Sequence, residues 1–163
     1  MEQAGIADPL ARFGLKDRVA VVTGATEGIG RGLAVGLAAA GADVVVCGRR
    51  EDALREAQAE IARTGRRGEA CRLDVCQLAD IERLKAFALE RLGRVDILVN
   101  AAGFTVTKPA WDTTEDEWDR MVDTGFKGLF FCCQIIGSAM RERGYGKIIN
   151  LSSTFSRSII KGR

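Results

Sequence analysis

Residues 23–30 read Thr-Gly-Ala-Thr-Glu-Gly-Ile-Gly, between the apolar run 19–22 and the helix-patterned stretch 31–37. Glycines let a backbone turn tightly and approach a pyrophosphate. The N–H groups and positive dipole end of a following helix stabilise the charge of that group. Gly24, Thr26, Glu27, Gly28, Ile29 and Gly30 are therefore candidate residues of a dinucleotide phosphate cradle. Their spacing is Gly-x-x-x-Gly-x-Gly, not the commoner Gly-x-Gly-x-x-Gly.

Four further polar clusters each follow an apolar run: Arg49 and Arg50; Asp74 and Val75; Asn100, Ala101, Ala102 and Gly103; Ser152 and Ser153. The runs preceding them, residues 42–47, 70–75, 95–100 and 147–152, read as strands two to five. Between them, helix-spaced apolar residues such as Leu54, Ala57 and Ile61, then Ile81, Leu84 and Ala88, mark amphipathic helices. Strands alternating with such helices imply right-handed crossovers and an α/β fold, a doubly wound parallel sheet with helices on both faces. In such a sheet ligands bind beyond the carboxyl ends of the strands, where all five polar clusters fall. A long helix is expected over about residues 115–143, with Trp118, Met121, Val122, Phe126, Leu129, Phe130, Cys133, Ile136 and Met140 forming a broad apolar face, read first as core and second as a partner surface.

Composition narrows the partners. The chain has 163 residues, 47% hydrophobic and 28% charged, with a net charge of +2. That balance suits one soluble domain and a small-molecule partner, not nucleic acid or an anionic membrane. No apolar run is long enough to span a bilayer. Five cysteines without metal-ligand spacing, and no histidine at all, read as buried thiols in a reducing cytoplasm, with no metal site. The lack of histidine also excludes an imidazole base.

The threonine before the cradle, the isoleucine between its last two glycines and the four later clusters together resemble the short-chain dehydrogenase/reductase family over residues 17–163. Residues 1–16 read as a tail. The resemblance implies a Rossmann-type sheet of about five strands, incomplete on its C-terminal side, leaving strand five an open apolar edge. It implies that Asp74 contacts an adenine ring and that Asn100 to Gly103 lie against the cofactor and steady the central strands. The activity implied is hydride transfer between a nicotinamide cofactor and a carbonyl or alcohol such as a 3-oxoacyl thioester, sugar acid or polyol. Ser153 matches the serine that hydrogen-bonds the substrate oxygen. The full-length protein is expected to be a homo-oligomer.

Cofactor choice turns on the end of strand two. An acid there would accept hydrogen bonds from a ribose 2′-OH, whereas Gly48 is followed by Arg49 and Arg50, whose planar donors match a 2′-phosphate. NADP(H) is thus favoured with NAD(H) possible, and Glu27 argues against the extra phosphate. The family's tyrosine, a general acid/base with a lysine four residues later, is expected a few residues past Arg163. Tyr145 is followed four residues on by Ile149 and reads as a turn residue, and Lys161 is preceded at that spacing by Arg157. Gly125 stands where the family usually carries asparagine, which puts the proton relay in doubt. The expectation is an inactive fragment of a longer reductase; the alternative is a non-catalytic dinucleotide-binding or interaction module ending naturally at Arg163.

Overall fold

Five parallel strands form, β1 (Val19–Thr23), β2 (Asp43–Gly48), β3 (Gly68–Arg72), β4 (Ile97–Asn100) and β5 (Lys147–Asn150), all but β3 on runs rich in valine, isoleucine or alanine. The computed structural model describes residues 13–153. The tail through residue 12, Arg157 and Lys161 lie outside the described residues. The strands lie in the order β3-β2-β1-β4-β5, which reverses direction between β1 and β4. Helix α1 (Gly28–Ala39) links β1 to β2, α2 (Glu51–Arg63) links β2 to β3, and α3 (Leu78–Leu92) crosses to β4.

Burial on both faces explains why the central strands are continuously apolar. Ala20, Val22, Val44, Val46, Ile97 and Val99 face one layer, packing with Ala34, Ala38, Leu54, Ala57 and Ile61 of α1 and α2. Val21, Val45 and Leu98 face the other, packing with Ile81, Leu84 and Ala88 of α3 and with Cys132, Ile136 and Met140 further along the chain.

The expected long helix is three pieces. Helix α4 (Glu115–Val122) begins with a capping box between Thr114 and Glu117. A π-helical segment follows (Asp123–Gly128), then α5 (Leu129–Glu142). Two glycines account for the break. Gly125 weakens the helix by about 1 kcal/mol relative to alanine, and Gly128 presses so closely on β3's exit that a Cβ there would lie 2.7 Å from the Val75 carbonyl oxygen. A widened turn brings the backbone to that contact. Ile136 and Met140 are core, as expected, but Trp118, Phe126 and Phe130 are 60%, 77% and 58% exposed. The core reading of those three aromatics is thereby corrected.

Strand three also differs from its expected span of 70–75. It starts at Gly68, paired with Val44, and ends at Arg72. The chain then turns, because the Cys76 N–H donates to Asp74 Oδ1 at 3.1 Å. Among the described residues β5 pairs only with β4, and Ile148 and Ile149 are 42% and 48% exposed.

At the amino ends of the strands, Asp96 is fully buried and joins three of them. Its Oδ2 accepts the Val19 N–H at 2.9 Å, Arg94 donates to its Oδ1, and Arg18 and Arg143 approach at 3.5 and 3.9 Å. Its backbone carbonyl accepts the Lys147 N–H at 2.9 Å. Tyr145 stacks under Arg18, 4.3 Å from guanidinium carbon to ring centroid. The chain's one tyrosine is therefore a turn residue at this end of the sheet.

Candidate functional site

At the opposite, carboxyl ends of the strands, where the strand order reverses, lies a cleft of about 380 Å³. Gly24, Thr26, Glu27, Gly28, Ile29 and Gly30 line it from the β1–α1 turn, Arg49 and Arg50 from the end of β2, Asp74 and Val75 from the turn after β3, and Ala101, Ala102 and Gly103 from the turn after β4. All thirteen residues meet around one opening.

The cradle owes its shape to backbone contact. Gly24 has φ +68°, and a Cβ on it would lie 2.7 Å from the backbone of Ala101 and Ala102. Gly30 is pressed against the Gly24 peptide in the same way, a Cβ there lying 2.8 Å from the Gly24 carbonyl carbon. Around Gly28 (φ +55°) the space is open, with nothing within 4 Å of a built Cβ. The turn is therefore closed behind and open in front, at the amino end of a helix whose N-cap, Glu27, gives it no side-chain capping bond. Ile29 is 71% exposed at the cleft, an apolar surface that a ligand would cover. The Ala25 N–H donates to the Cys47 carbonyl at 3.0 Å, which fastens the turn to β2.

Thr23 joins the two central turns. Its Oγ1 accepts the N–H groups of Ala101 and Ala102, both at 3.2 Å, and donates to the Val99 carbonyl at 3.5 Å. Thr23→Val keeps the shape and leaves two backbone donors unpaired. It is expected to destabilise the fold by about 1–3 kcal/mol in urea unfolding and to weaken ligand binding by loosening the turn after β4.

Asp74 has two tasks. One carboxylate oxygen caps its own turn through Cys76, and its N–H donates to Asp80 Oδ2 at 2.9 Å. Asp80 is held below its ordinary carboxylate range, first by Arg83 and then by this Asp74 N–H, so the turn is anchored by an ionised group. Asn100 stands behind the cleft instead of lining it. Its Nδ2 donates to Asn150 Oδ1 at 2.8 Å and to Cys133 Sγ at 3.3 Å, crosslinking the paired ends of β4 and β5, while its Oδ1 is buried without a partner among the described residues. Ser153 is exposed and outside the cleft lining, two residues beyond Leu151, which is part of that lining.

Arg49 and Arg50 are both exposed but differ in their partners. Arg50 is paired with Glu27, at 2.8 Å between Nη2 and Oε2. Gly48 has its own reason to be glycine: a Cβ there would meet Thr26 Cγ2 at 2.6 Å, so the cradle threonine occupies the place of a side chain at the end of β2.

Thr23, Leu73, Phe104, Thr124 and Leu151 belong to the site or its wall and are not among the candidate site residues that sequence reasoning names; Gly48, read there as part of the cluster after strand two, also lines the cleft. Of the five, Thr23 alone carries a signal, its place before the first glycine. Thr124 reaches the cleft because the π-helical segment turns there, and its Oγ1 lies 3.4 Å from Cys76 Sγ. Burial pushes the Cys76 thiol up, and stronger burial pushes Cys132 up to about 12, so neither is a poised nucleophile. Among the described residues no group of three or more His, Cys, Asp or Glu could hold a metal ion, and no helix is long and apolar enough to cross a membrane.

Comparison with known proteins gives the chain's relatives. The short chain dehydrogenase family matches residues 18–162. Short-chain reductase protein NovJ from Streptomyces niveus is 37% identical over 142 residues, covering 87% of this chain and 54% of that protein. The NAD-dependent glycerol dehydrogenase of Listeria innocua is 37% identical over 144 residues, 88% of this chain and 56% of that protein. A metagenomic short-chain oxidoreductase in complex with NADP superposes with a TM-score of 0.84 at 33% identity, covering 90% of this chain and 66% of that one. The chain thus spans little more than half the length of these two curated relatives.

Proposed function

The chain belongs to the short-chain dehydrogenase family, and from that premise we propose that its cleft binds a nicotinamide dinucleotide, NADP(H) in preference to NAD(H), for the reversible reduction of a carbonyl to an alcohol. The observation that carries the reading is the fit of the cradle to a pyrophosphate: closed behind Gly24 and Gly30, open in front of Gly28, at an amino helix end that favours anions. When bound, such a cofactor supplies or takes up a hydride.

This chain's residues have separate tasks in that reading. The first-turn N–H groups of α1 hold the pyrophosphate, and Asp74 offers its remaining carboxylate oxygen to the adenine ring. Ala101, Ala102 and Gly103, fixed by Thr23, orient the cofactor at the centre of the sheet. Arg49 pairs with the 2′-phosphate, and Ser153 hydrogen-bonds the substrate oxygen. Proton transfer at that oxygen falls to the tyrosine and lysine that the family resemblance implies. Tyr145 does not qualify, since it stacks on Arg18 at the other end of the sheet. The substrates proposed for the whole enzyme are 3-oxoacyl thioesters, sugar acids or polyols, and its assembly a homo-oligomer through the exposed aromatics of α4 and α5.

Calorimetric titration with NADP+ and NAD+ tests the reading. Both are expected to bind, NADP+ more tightly, and Arg49→Ala is expected to weaken NADP+ about tenfold through loss of a charge-assisted pair while leaving NAD+ unchanged. Equal affinities that ignore Arg49→Ala would remove the NADP preference, and no binding of either would remove the cleft as a cofactor site.

A further inference from the structure

The amino rim of the sheet gathers cations from the entrances of adjacent strands. Along the order β1-β4-β5, Arg18 stands directly before β1, Arg94 shortly before β4, Arg143 at the end of α5 and Lys147 at the start of β5. The acid they share is Asp96, which is fully buried. Arg94 donates to its Oδ1, and the Val19 N–H occupies its Oδ2. Arg18 and Arg143 stop at 3.5 and 3.9 Å from that same Oδ1, beyond the usual N–H···O distance of about 2.7–3.2 Å. Lys147 Nζ lies 5.9 Å from the centroid of the Tyr145 ring that Arg18 covers at 4.3 Å. Asp17 and Glu142, next in sequence to Arg18 and Arg143, make no ion pair among the described residues.

We propose that this rim is an anion site, separate from the cleft, that takes a phosphate dianion on the solvent side of Arg18, Arg143 and Lys147.

The charge balance points to that ligand. Three guanidiniums face one carboxylate, and Lys147 adds a further cation beside them, so the cluster lacks negative charge. Its donors also outnumber its acceptors: Arg94 Nε is buried with no partner among the described residues, and one carboxylate does not bring Arg18 and Arg143 to hydrogen-bond length. The side chains of these two arginines are each 37% exposed, and Lys147 is exposed, so an ion in solution reaches all three. Guanidinium donors match phosphate oxygens in geometry, and charge-assisted bonds of that kind are the strong ones. Like charges that the fold holds together repel, and a dianion relieves that repulsion more than a monoanion does. Occupancy also has a structural effect. Among the described residues β5 pairs only with β4, and a phosphate joining Arg18 to Arg143 and Lys147 ties the α5–β5 turn to the entrance of β1 across β4.

The test follows calorimetric binding of inorganic phosphate and the thermal unfolding midpoint of the wild-type chain, at slightly alkaline pH and at constant ionic strength set with chloride. NAD+ is present to fill the cleft, and acetate serves as the monoanion control. Phosphate is expected to bind and to raise the midpoint by mass action, and acetate to do neither. Arg18→Gln and Arg143→Gln are each expected to weaken phosphate about tenfold, the size of one charge-assisted hydrogen bond, whereas Arg49→Gln in the cleft leaves it unchanged. Circular dichroism confirms the fold of each variant. Should an arginine variant unfold, Lys147→Gln, which breaks no bond to Asp96, is expected to weaken phosphate severalfold and decides in its place. No binding by the wild type, equal binding of acetate, or phosphate affinity that ignores the rim variants would overturn the inference, as would binding lost on adding NAD+ or in Arg49→Gln, which would assign the anion to the cleft. Whether NAD+ itself binds reports separately on the cleft reading, on which this inference does not rest.

Discussion

Gly24→Ala abolishes measurable dinucleotide binding and lowers stability by about 2–5 kcal/mol. Two costs combine in that expected result. Gly24 sits at φ +68°, where an L side chain costs about 1–2 kcal/mol. The added methyl would also lie 2.7 Å from the backbone of Ala101 and Ala102. A neighbouring side chain could rotate away, but a backbone held by two hydrogen bonds to Thr23 must shift as a unit, and overpacking of this kind costs about 1–3 kcal/mol. The shift displaces the two turns that line the cleft on either side of the point where the strand order reverses. Urea unfolding reads the stability and calorimetry reads the binding. A variant that unfolds like the wild type and still binds NADP+ would show that the contact of the turns is not needed.

Asp96→Ala gives the second large effect, on stability and not on binding. It removes a buried carboxylate from Arg94, Arg18 and Arg143 and takes away the acceptor of the Val19 N–H. The loss combines a buried N–H left without its acceptor, about 1–3 kcal/mol, with a charge-assisted hydrogen bond to a partly exposed arginine, about 1.5–3 kcal/mol. The pH dependence has a definite sign. Burial pushes the Asp96 carboxyl up, but the Arg94 bond, the Val19 N–H and the charges of Arg94 and Arg143 outweigh it, and the group titrates below its ordinary value. A depressed folded pKa means that its contribution is complete above the unfolded value near pH ~3.9 and is lost as pH falls through the folded value. The gap between wild type and variant is therefore expected to be constant from neutral pH down to about pH 5 and to narrow below pH 4. A gap that stays constant through the acid range would mean that Asp96 acts by packing alone.

Much of this arrangement is legible in the residues. A strand buried on both faces announces itself by composition, as Val44, Val45 and Val46 do, and glycines crowded between such a strand and a helix have few other uses. What escapes has little local signature. The widened turn at Asp123–Gly128 is marked only by its two glycines, and neither they nor an apolar pattern distinguish one turn of wider helix from the rest, so Phe126 and Phe130 read as core. The partners of Thr23 are backbone N–H groups, which every residue but proline carries. The Glu27–Arg50 pair joins two short segments that only the sheet brings together. Asp96, between Val95 and Ile97, reads as one more residue of a strand, because two of the arginines that explain it, Arg18 and Arg143, come from distant places in the chain.

The Asp96 cluster and the glycine cradle occupy opposite rims of the same sheet, with only four or five strand residues between them. Tolerance to sequence change is divided accordingly. On the reading proposed above, substitutions among Glu27, Arg49 and Arg50 would retune recognition at one rim while the other keeps the strands in register. The mouth can thus drift toward a new ligand without each step first having to be rescued by a stabilising change elsewhere.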